Sequence, residues 1–124
     1  MAKLNVNYAN LNEGYPGEAL RALTGMPTSF YSGHRKESMS NDEVFDLLHD
    51  SEMKNYPMVA GTGSSTFDNL VAGHAYTILG TQIIYDNGGN VVERLVRMRN
   101  PWGKFMYTGP WSGHSDDWTP AYKA

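Results

Sequence analysis

The fold is decided by residues 75–99, which read AYTILGTQIIYDNGGNVVERLVRMR. Two runs rich in β-branched and aromatic side chains, residues 75–85 and 91–99, flank a short segment of aspartate, asparagine and glycine. The Asn87-Gly88 dipeptide tolerates the positive φ angles that a tight hairpin turn needs. The stretch therefore predicts two long antiparallel strands joined by a tight turn.

Two helices and two short strands are predicted before this hairpin. The clearest helix signal is a stripe at i, i+3, i+4 and i+7, formed by Val44, Leu47, Leu48 and Ser51. Helices followed by antiparallel strands are typical of an α+β fold, here with N-terminal helices packed on antiparallel sheets. The predicted elements are a short helix at 18–23 preceded by Pro16 and ended by Gly25, a strand at 29–31, a helix at about 41–54, and a strand at 58–60.

Composition limits the class of protein. The length of 124 residues predicts a single domain over residues 1–124. Ten basic against thirteen acidic side chains give a net charge of −3, which argues against nucleic-acid binding because such surfaces need a basic excess. No apolar run approaches the length of about 18 residues that a membrane span needs, and the polar N-terminus does not resemble a secretory signal. The absence of cysteine excludes a disulfide, a thiolate zinc site and a cysteine nucleophile within these residues.

Two polar residues lie where the two strands of the hairpin should meet. His74 follows Gly73 at the start of the first strand, and Asn100 ends the second strand, where Pro101 restricts its backbone to an extended conformation. Asn87 in the turn lies thirteen positions from each of them, so antiparallel pairing should bring the imidazole and the carboxamide together. Taken singly, each has an ordinary structural interpretation: a neutral core histidine, and an asparagine in a turn.

An imidazole paired with a carboxamide is typical of one kind of catalytic site. A histidine that activates a nucleophile presents one ring nitrogen to it, while the other nitrogen donates its hydrogen to an acceptor that sets the tautomer. A neutral carboxamide suffices as that acceptor beside a thiolate–imidazolium pair, as in Cys-His-Asn proteases. We therefore predict that His74 and Asn100 belong to a catalytic site.

The other histidines and the glycine-rich loop carry weaker signals. His49 is predicted to be a partly exposed helix residue and His34 a surface residue. His114 precedes two aspartates, which by themselves form at most a weak cation site. No histidine has the spacing of a metal-binding motif. The loop GTGSS at residues 61–65 lacks the lysine of a phosphate-binding loop and is predicted to be a flexible surface loop.

Five segments carry a family resemblance. They are LVAGHAYTI at 70–78, LVRMRNPWG at 95–103, YTGPWS at 107–112, SDDW at 115–118 and EALRALTG at 18–25. In these segments, and over about residues 8–120, the chain resembles the calpain family of cysteine proteases; the first segment resembles the family's histidine motif and the second its asparagine motif. The resemblance implies that the chain is the β-rich C-terminal subdomain of a papain-like protease core.

The resemblance assigns roles to four residues. His74 would be the general base, Asn100 its orienting partner, Trp102 the indole that packs beside the active centre, and Gly73 part of the cleft wall. The family's nucleophilic cysteine lies in an earlier subdomain, which this cysteine-free chain lacks. The chain is therefore expected to be a fragment of an intracellular, cytoplasmic cysteine endopeptidase and to be inactive alone.

Partners and cofactors follow from the same resemblance. We expect a protein or peptide substrate and the missing cysteine-bearing subdomain as partners, no nucleic acid, and a monomeric fragment. No cofactor or metal is expected to be required by the chain itself. The resemblance implies calcium binding by the parent protein, but Met106 and Gly113 occupy the positions where this half would supply carboxylates, so no calcium site is predicted at that loop.

Two other functions stay open at this point. A non-catalytic calpain-like interaction domain could use the same fold for binding within a larger protein, with the histidine and asparagine retained as structural residues. A free-standing β-rich domain could bind a ligand on a platform of C-terminal aromatic side chains, namely Trp102, Phe105, Tyr107, Trp111 and Trp118.

Overall fold

The computed structural model describes residues 7, 9, 14–31, 39–104 and 106–122. The chain divides into two compact units, Met1–Ser40 and Asn41–Ala124. Within the described ranges, no helix has both the length and the apolar character that crossing a membrane requires. The single domain expected over the whole chain stays a prediction.

Helix α1 (Pro16–Thr24) lies in the first unit and confirms the short helix predicted from the sequence. Pro16 stands at its start, where the missing N–H leaves no hydrogen bond unmade. Gly25 ends it in the left-handed conformation, with a φ of 70° and its N–H donating to the carbonyl of Arg21. Glycine adopts this conformation without the steric cost that a Cβ would bring.

The strand predicted at residues 29–31 is wrong. The segment is irregular, Phe30 is 67% exposed, and none of the described strands pairs with it. Residues that favour strands form one only where a neighbouring strand accepts their hydrogen bonds and packs on their side chains.

Helix α2 (Asn41–Met53) begins the second unit and confirms the helix predicted at about 41–54. The four residues of the predicted stripe are all half-buried. The buried residue of the helix is Phe45, which lies beside the stripe. Its ring stacks on His49 at 6.2 Å between centroids, and the guanidinium carbon of Arg94 lies 5.6 Å from its centroid. Contacts with other elements, rather than helical periodicity alone, decide which side chain is buried.

Three antiparallel strands follow: β1 (Met58–Gly61), β2 (Ala75–Tyr85) and β3 (Val91–Arg99), in the order β1-β2-β3. The central strand β2 carries the buried side chains Tyr76 and Ile84, and α2 packs against it. A short 3-10 turn at Pro120–Tyr122 ends the described chain. Helices and an antiparallel sheet confirm the α+β fold.

The turn between β2 and β3 differs from the predicted tight turn. Oδ1 of Asp86 accepts the N–H groups of Gly88 and Asn90, and the N–H of Asp86 donates to the carbonyl of Asn90. The positive φ falls on Gly89, at 81°, and not on Asn87. The turn is wider than predicted because the aspartate side chain replaces backbone hydrogen bonds inside it.

Two bulges shape the pairing of β2 with β3. Leu79 is the extra residue on β2, and Val92 is the extra residue on β3. Each extra residue shifts the pairing by one position. The shifts act in opposite directions and cancel, so the register at the end of the hairpin near His74 is the same as the register beside the turn.

The last turn of α2 is tied to β2 by a carboxylate. Oε2 of Glu52 accepts the backbone N–H of Thr81 over 2.7 Å and its hydroxyl over 2.6 Å, and the same hydroxyl oxygen lies 2.8 Å from Nδ1 of His49. Because the hydroxyl hydrogen is committed to the carboxylate, Nδ1 of His49 carries a hydrogen and donates it. A Cβ at position 80 would collide with the Glu52 carboxylate, so Gly80 permits this close approach.

Replacing Glu52 with glutamine should lower stability at neutral pH and flatten its dependence on acid. Hydrogen bonds from Thr81 hold the pKa of the Glu52 carboxyl below its ordinary value of 4.5, against an opposing effect of burial. A carboxyl group whose pKa is lower in the folded chain than in the unfolded chain stabilises the fold at pH values above its unfolded-state pKa. This stabilisation is lost as the pH falls through the folded-state pKa. Thermal unfolding between about pH 7 and about pH 3 measures the effect. The matched control for removal of one negative charge from α2 is Asp50→Asn, at an exposed carboxylate. Equal slopes for Glu52→Gln and the unmodified chain would contradict the assignment.

Candidate active site

The predicted contact between imidazole and carboxamide is present at the open end of the β2–β3 hairpin. Nε2 of His74 lies 2.8 Å from Oδ1 of Asn100. The pairing of β2 with β3 ends where Thr77 faces Arg99. When this register is continued by one residue, Asn100 lies opposite Tyr76 and not opposite His74. The contact therefore runs diagonally, over two positions on one face, and not directly across the ladder as the symmetric count predicted.

The carboxamide of Asn100 is oriented by its own neighbours. The backbone N–H of Trp102 donates to Oδ1 over 3.0 Å, and Nδ2 donates to the carbonyl of Lys104 over 2.7 Å. An N–H only donates and a carbonyl only accepts, so these two bonds establish which amide atom is the oxygen. Since that oxygen faces the ring, Nε2 of His74 must carry the hydrogen of their shared bond.

Aromatic rings lie against the imidazole on two sides. The centroid of Trp102 is 4.2 Å from that of His74, with the ring planes tilted by 44°. Tyr76 meets the imidazole edge-on at 4.9 Å and is itself buried. Trp102 remains 52% exposed. The indole therefore lies beside the imidazole, and its role in packing an active centre stays a prediction.

The second ring nitrogen of His74 is open to a reactant. His74 is half-buried, and its Nδ1 has no hydrogen-bond partner among residues 39–104 and 106–122. In the described ranges no buried side-chain nitrogen or oxygen lacks a partner, so Nδ1 reaches solvent. An imidazole with its hydrogen on Nε2 presents a lone pair at Nδ1, which can accept a proton from a group brought to that side.

Sequence analysis missed Thr62, which holds the backbone at His74. Its hydroxyl oxygen accepts the N–H of His74 over 2.9 Å, and its own N–H donates to the His74 carbonyl over 2.9 Å. Thr62 is half-buried within the loop that was predicted to be a flexible surface loop. The signal lies in the strand register: β1 pairs with β2 so that Gly61 faces Ala75, which sets the next residue opposite His74.

Gly73 precedes the imidazole in a left-handed conformation, with a φ of 59°. Its N–H donates to the carbonyl of Gly63 over 2.8 Å. A Cβ built at Gly73 would meet no atom within 4 Å. The conformation explains the glycine, and the open space beside it is compatible with a place on a cleft wall, which stays a prediction.

Two of the other histidines, His49 and His114, take no part in this contact. His49 is half-buried on α2 and bonded to Thr81. His114 is exposed, and His34 lies outside the described residues. Across the described residues, no group of three or more histidine, aspartate or glutamate side chains is arranged to hold a metal ion.

The C-terminal loop is the part of this chain at which the family resemblance would place calcium ligands. Oδ2 of Asp117 accepts the N–H of Trp111 over 2.9 Å and the hydroxyl of Ser115. These bonds, that of Ser115 first, lower the pKa of the Asp117 carboxyl. Met106 and Gly113 add no side-chain oxygen. Calcium takes about six to eight oxygen ligands, and the expected absence of a calcium site at this loop stays a prediction.

The C-terminal aromatic residues pack on one another. Trp111 meets Trp118 at 5.1 Å in a T-shaped arrangement and Tyr122 at 5.9 Å. Nε1 of Trp118 donates to the carbonyl of Ser112 over 2.8 Å. Both indoles are half-buried, and Phe105 lies outside the described residues. Packing of this kind is typical of a structural cluster rather than of an open ligand platform.

The chain is similar over most of its length to known proteins. A family model described as calpain family cysteine protease matches residues 1–124. The chain is 34% identical over 121 residues to the calpain-1 catalytic subunit of Mus musculus and 33% identical over 121 residues to that of Homo sapiens. It is 30% identical over 125 residues to the calpain-2 catalytic subunit of Homo sapiens. Each match covers 94% of this chain, which spans 17% of the length of the relative.

Proposed function

This chain belongs to the calpain family of cysteine proteases, and on that premise we propose that it supplies the general base and its orienting group to a site that hydrolyses peptide bonds. The nucleophilic cysteine must come from outside these 124 residues, which contain none. The proposal is carried by the 2.8 Å contact between His74 and Asn100, with the second imidazole nitrogen open. We propose as the parent protein an intracellular cysteine endopeptidase that acts on proteins or peptides.

The proton-transfer role falls to Nδ1 of His74. A cysteine thiol held against Nδ1 transfers its proton there, which forms a thiolate and an imidazolium. The thiolate attacks the substrate carbonyl carbon, and the imidazolium returns the proton to the leaving amine as the C–N bond breaks. Water, deprotonated by the same nitrogen, then hydrolyses the resulting thioester and regenerates the cysteine.

Asn100 acts on the imidazole rather than on the substrate. By accepting the Nε2 hydrogen it holds the ring in the tautomer and orientation that point Nδ1 outward. Its neutral carboxamide is sufficient because the thiolate already balances the imidazolium charge. Trp102 shields one face of the ring, and a hydrogen bond with restricted access to water is electrostatically stronger.

The 124-residue chain by itself should hydrolyse no peptide bonds. It has no cysteine, so the covalent step lacks its nucleophile. Incubation with fluorescently labelled casein, compared with a buffer blank, measures this directly. Hydrolysis by the isolated chain that disappears in His74→Ala would contradict the division of labour between two halves of a protease core.

The proposal itself is tested by transplanting the chain into a relative. The 121 matched residues of the mouse calpain-1 catalytic subunit are exchanged for this chain, and casein cleavage is measured under conditions in which the unmodified subunit is active. We expect cleavage by this calpain-1 chimera. Size-exclusion chromatography and thermal unfolding establish that it is folded. A folded but inactive chimera would contradict the proposal and favour the alternative, a calpain-like domain that binds without catalysis.

A further inference from the structure

The backbone of residues 71–74, which ends at His74, is hydrogen-bonded by residues outside this segment. The N–H of Val71 donates to the hydroxyl of Tyr76 over 2.8 Å, and the N–H of Gly73 donates to a carbonyl in the 61–65 loop. Thr62 bonds the carbonyl of Val71 and both backbone polar groups of His74. A segment bonded in this way has little freedom to rotate.

The hydroxyl of Thr62 serves two backbone groups at once. Its oxygen accepts the N–H of His74 over 2.9 Å, and the hydroxyl donates to the carbonyl of Val71, at 2.6 Å between the oxygens, with the carbonyl oxygen of His74 also within reach at 3.1 Å. The side chain is β-branched, which restricts its rotamer and points the hydroxyl before any bond forms. Strand pairing adds the backbone bond from the Thr62 N–H to the His74 carbonyl.

We propose that Thr62 is a positioning residue for His74. Its hydroxyl clamps the backbone on the N-terminal side of the imidazole, and the direction of the Cα–Cβ bond then keeps Nε2 within hydrogen-bond distance of Asn100. Removal of the hydroxyl leaves the half-buried N–H of His74 without its acceptor, which favours a shift of the backbone toward solvent. The catalytic consequence of this clamp rests on the proposed function, whereas its effect on the tautomer of His74 does not.

The tautomer is measured on the 124-residue chain. Thr62→Val preserves the shape of the side chain and removes the hydroxyl, while Thr62→Ser preserves the hydroxyl. Long-range ¹H–¹⁵N spectra, recorded about two pH units above the usual imidazole pKa of about 6.5, report which ring nitrogen carries hydrogen. His74→Ala assigns the signal. His49, whose Nδ1 hydrogen is directed by Thr81, is the internal reference and should not change.

The unmodified 124-residue chain and its Thr62→Ser variant should both show His74 with its hydrogen on Nε2. In Thr62→Val we expect the ratio of the Nε2–H form to the Nδ1–H form to fall by about tenfold, since an unpaired neutral imidazole has no strong preference for one nitrogen. In the calpain-1 chimera, Thr62→Val should lower kcat by about 10- to 100-fold with little change in KM, because a displaced base slows the chemical step.

A folded Thr62→Val chain in which His74 keeps its hydrogen on Nε2, as in the unmodified chain, overturns the inference. If Thr62→Val does not fold, Thr62→Ala decides, because it removes the same hydroxyl and leaves the smallest side chain that keeps the backbone bond of residue 62 to the His74 carbonyl. A shift of the tautomer ratio in the same direction supports the clamp, and an unchanged ratio contradicts it. Failure of the chimera with Thr62 intact counts against the proposed function alone, since the spectra of the isolated chain still test the clamp.

Discussion

Replacement of His74 by alanine should reduce casein cleavage by the calpain-1 chimera at least about 10³-fold. The variant removes the group that takes the proton from the thiol and delivers it to the leaving amine, so both halves of the reaction lose their acid–base catalyst. The loss should appear in kcat, because nothing in the proposed mechanism gives the imidazole a role in binding the ground-state substrate.

The matched control for this variant is His114→Ala. His114 is exposed on the C-terminal loop and has no part in the proposed mechanism, so its removal should leave cleavage within about twofold of the unmodified chimera, as is usual for surface substitutions. Thermal unfolding of both variants separates loss of chemistry from loss of fold. A His74→Ala chimera that is folded and retains more than about a tenth of the activity would remove the general-base assignment.

Replacement of Trp111 by alanine should have the largest effect on stability. Its ring packs edge-on against Trp118 and against Tyr122. Loss of a buried tryptophan costs about 3–5 kcal/mol, and because Trp111 is half-buried we expect about 2–3 kcal/mol. For a chain of this size that corresponds to a fall of about 10 °C in Tm, measured by circular dichroism on the 124-residue chain.

The control keeps an aromatic ring at the same position. Trp111 has a φ of 59°, and its N–H donates to Asp117. Alanine and phenylalanine share the cost of this left-handed backbone and retain its N–H, so the comparison isolates the ring. Trp111→Phe should recover more than half of the lost Tm. Equal Tm values for Trp111→Ala and the parent chain would mean that the indole contributes nothing to the fold.

Local patterns in the sequence were sufficient to predict most elements of secondary structure. The strands of the hairpin and helix α2 lie where alternation, turn residues and helical spacing placed them. Two local predictions failed, for different reasons. Residues 29–31 have no partner strand among the described residues, and the turn at Asn87 is reshaped by the Asp86 carboxylate. The first outcome depends on a partner strand outside the short window that produced the prediction, and the second depends on side-chain hydrogen bonds within the turn, which residue types alone do not specify.

The candidate site was predictable in part. His74 and Asn100 stood out because their residue types match one kind of catalytic chemistry and because they lie at equal distances from the turn. Thr62 did not stand out, because a threonine between glycines is ordinary in a loop. Its contact with His74 depends on the register of β1 against β2, and no local pattern specifies the register of two strands separated by a long connection.

By itself, the sequence determined the family, the order of the elements, and His74 and Asn100 as the proposed general base and its orienting group. All of these depend on residue types and short-range spacing. Only the tertiary structure decided how those two residues meet. Tyr85 pairs with Val91, so the hairpin is centred on position 88 and not on Asn87. Because the extra residues Leu79 and Val92 cancel, this register reaches the open end of the hairpin and makes the contact between His74 and Asn100 diagonal. Strand register is set by the sum of many cross-strand contacts, and such a sum exists only in the folded chain.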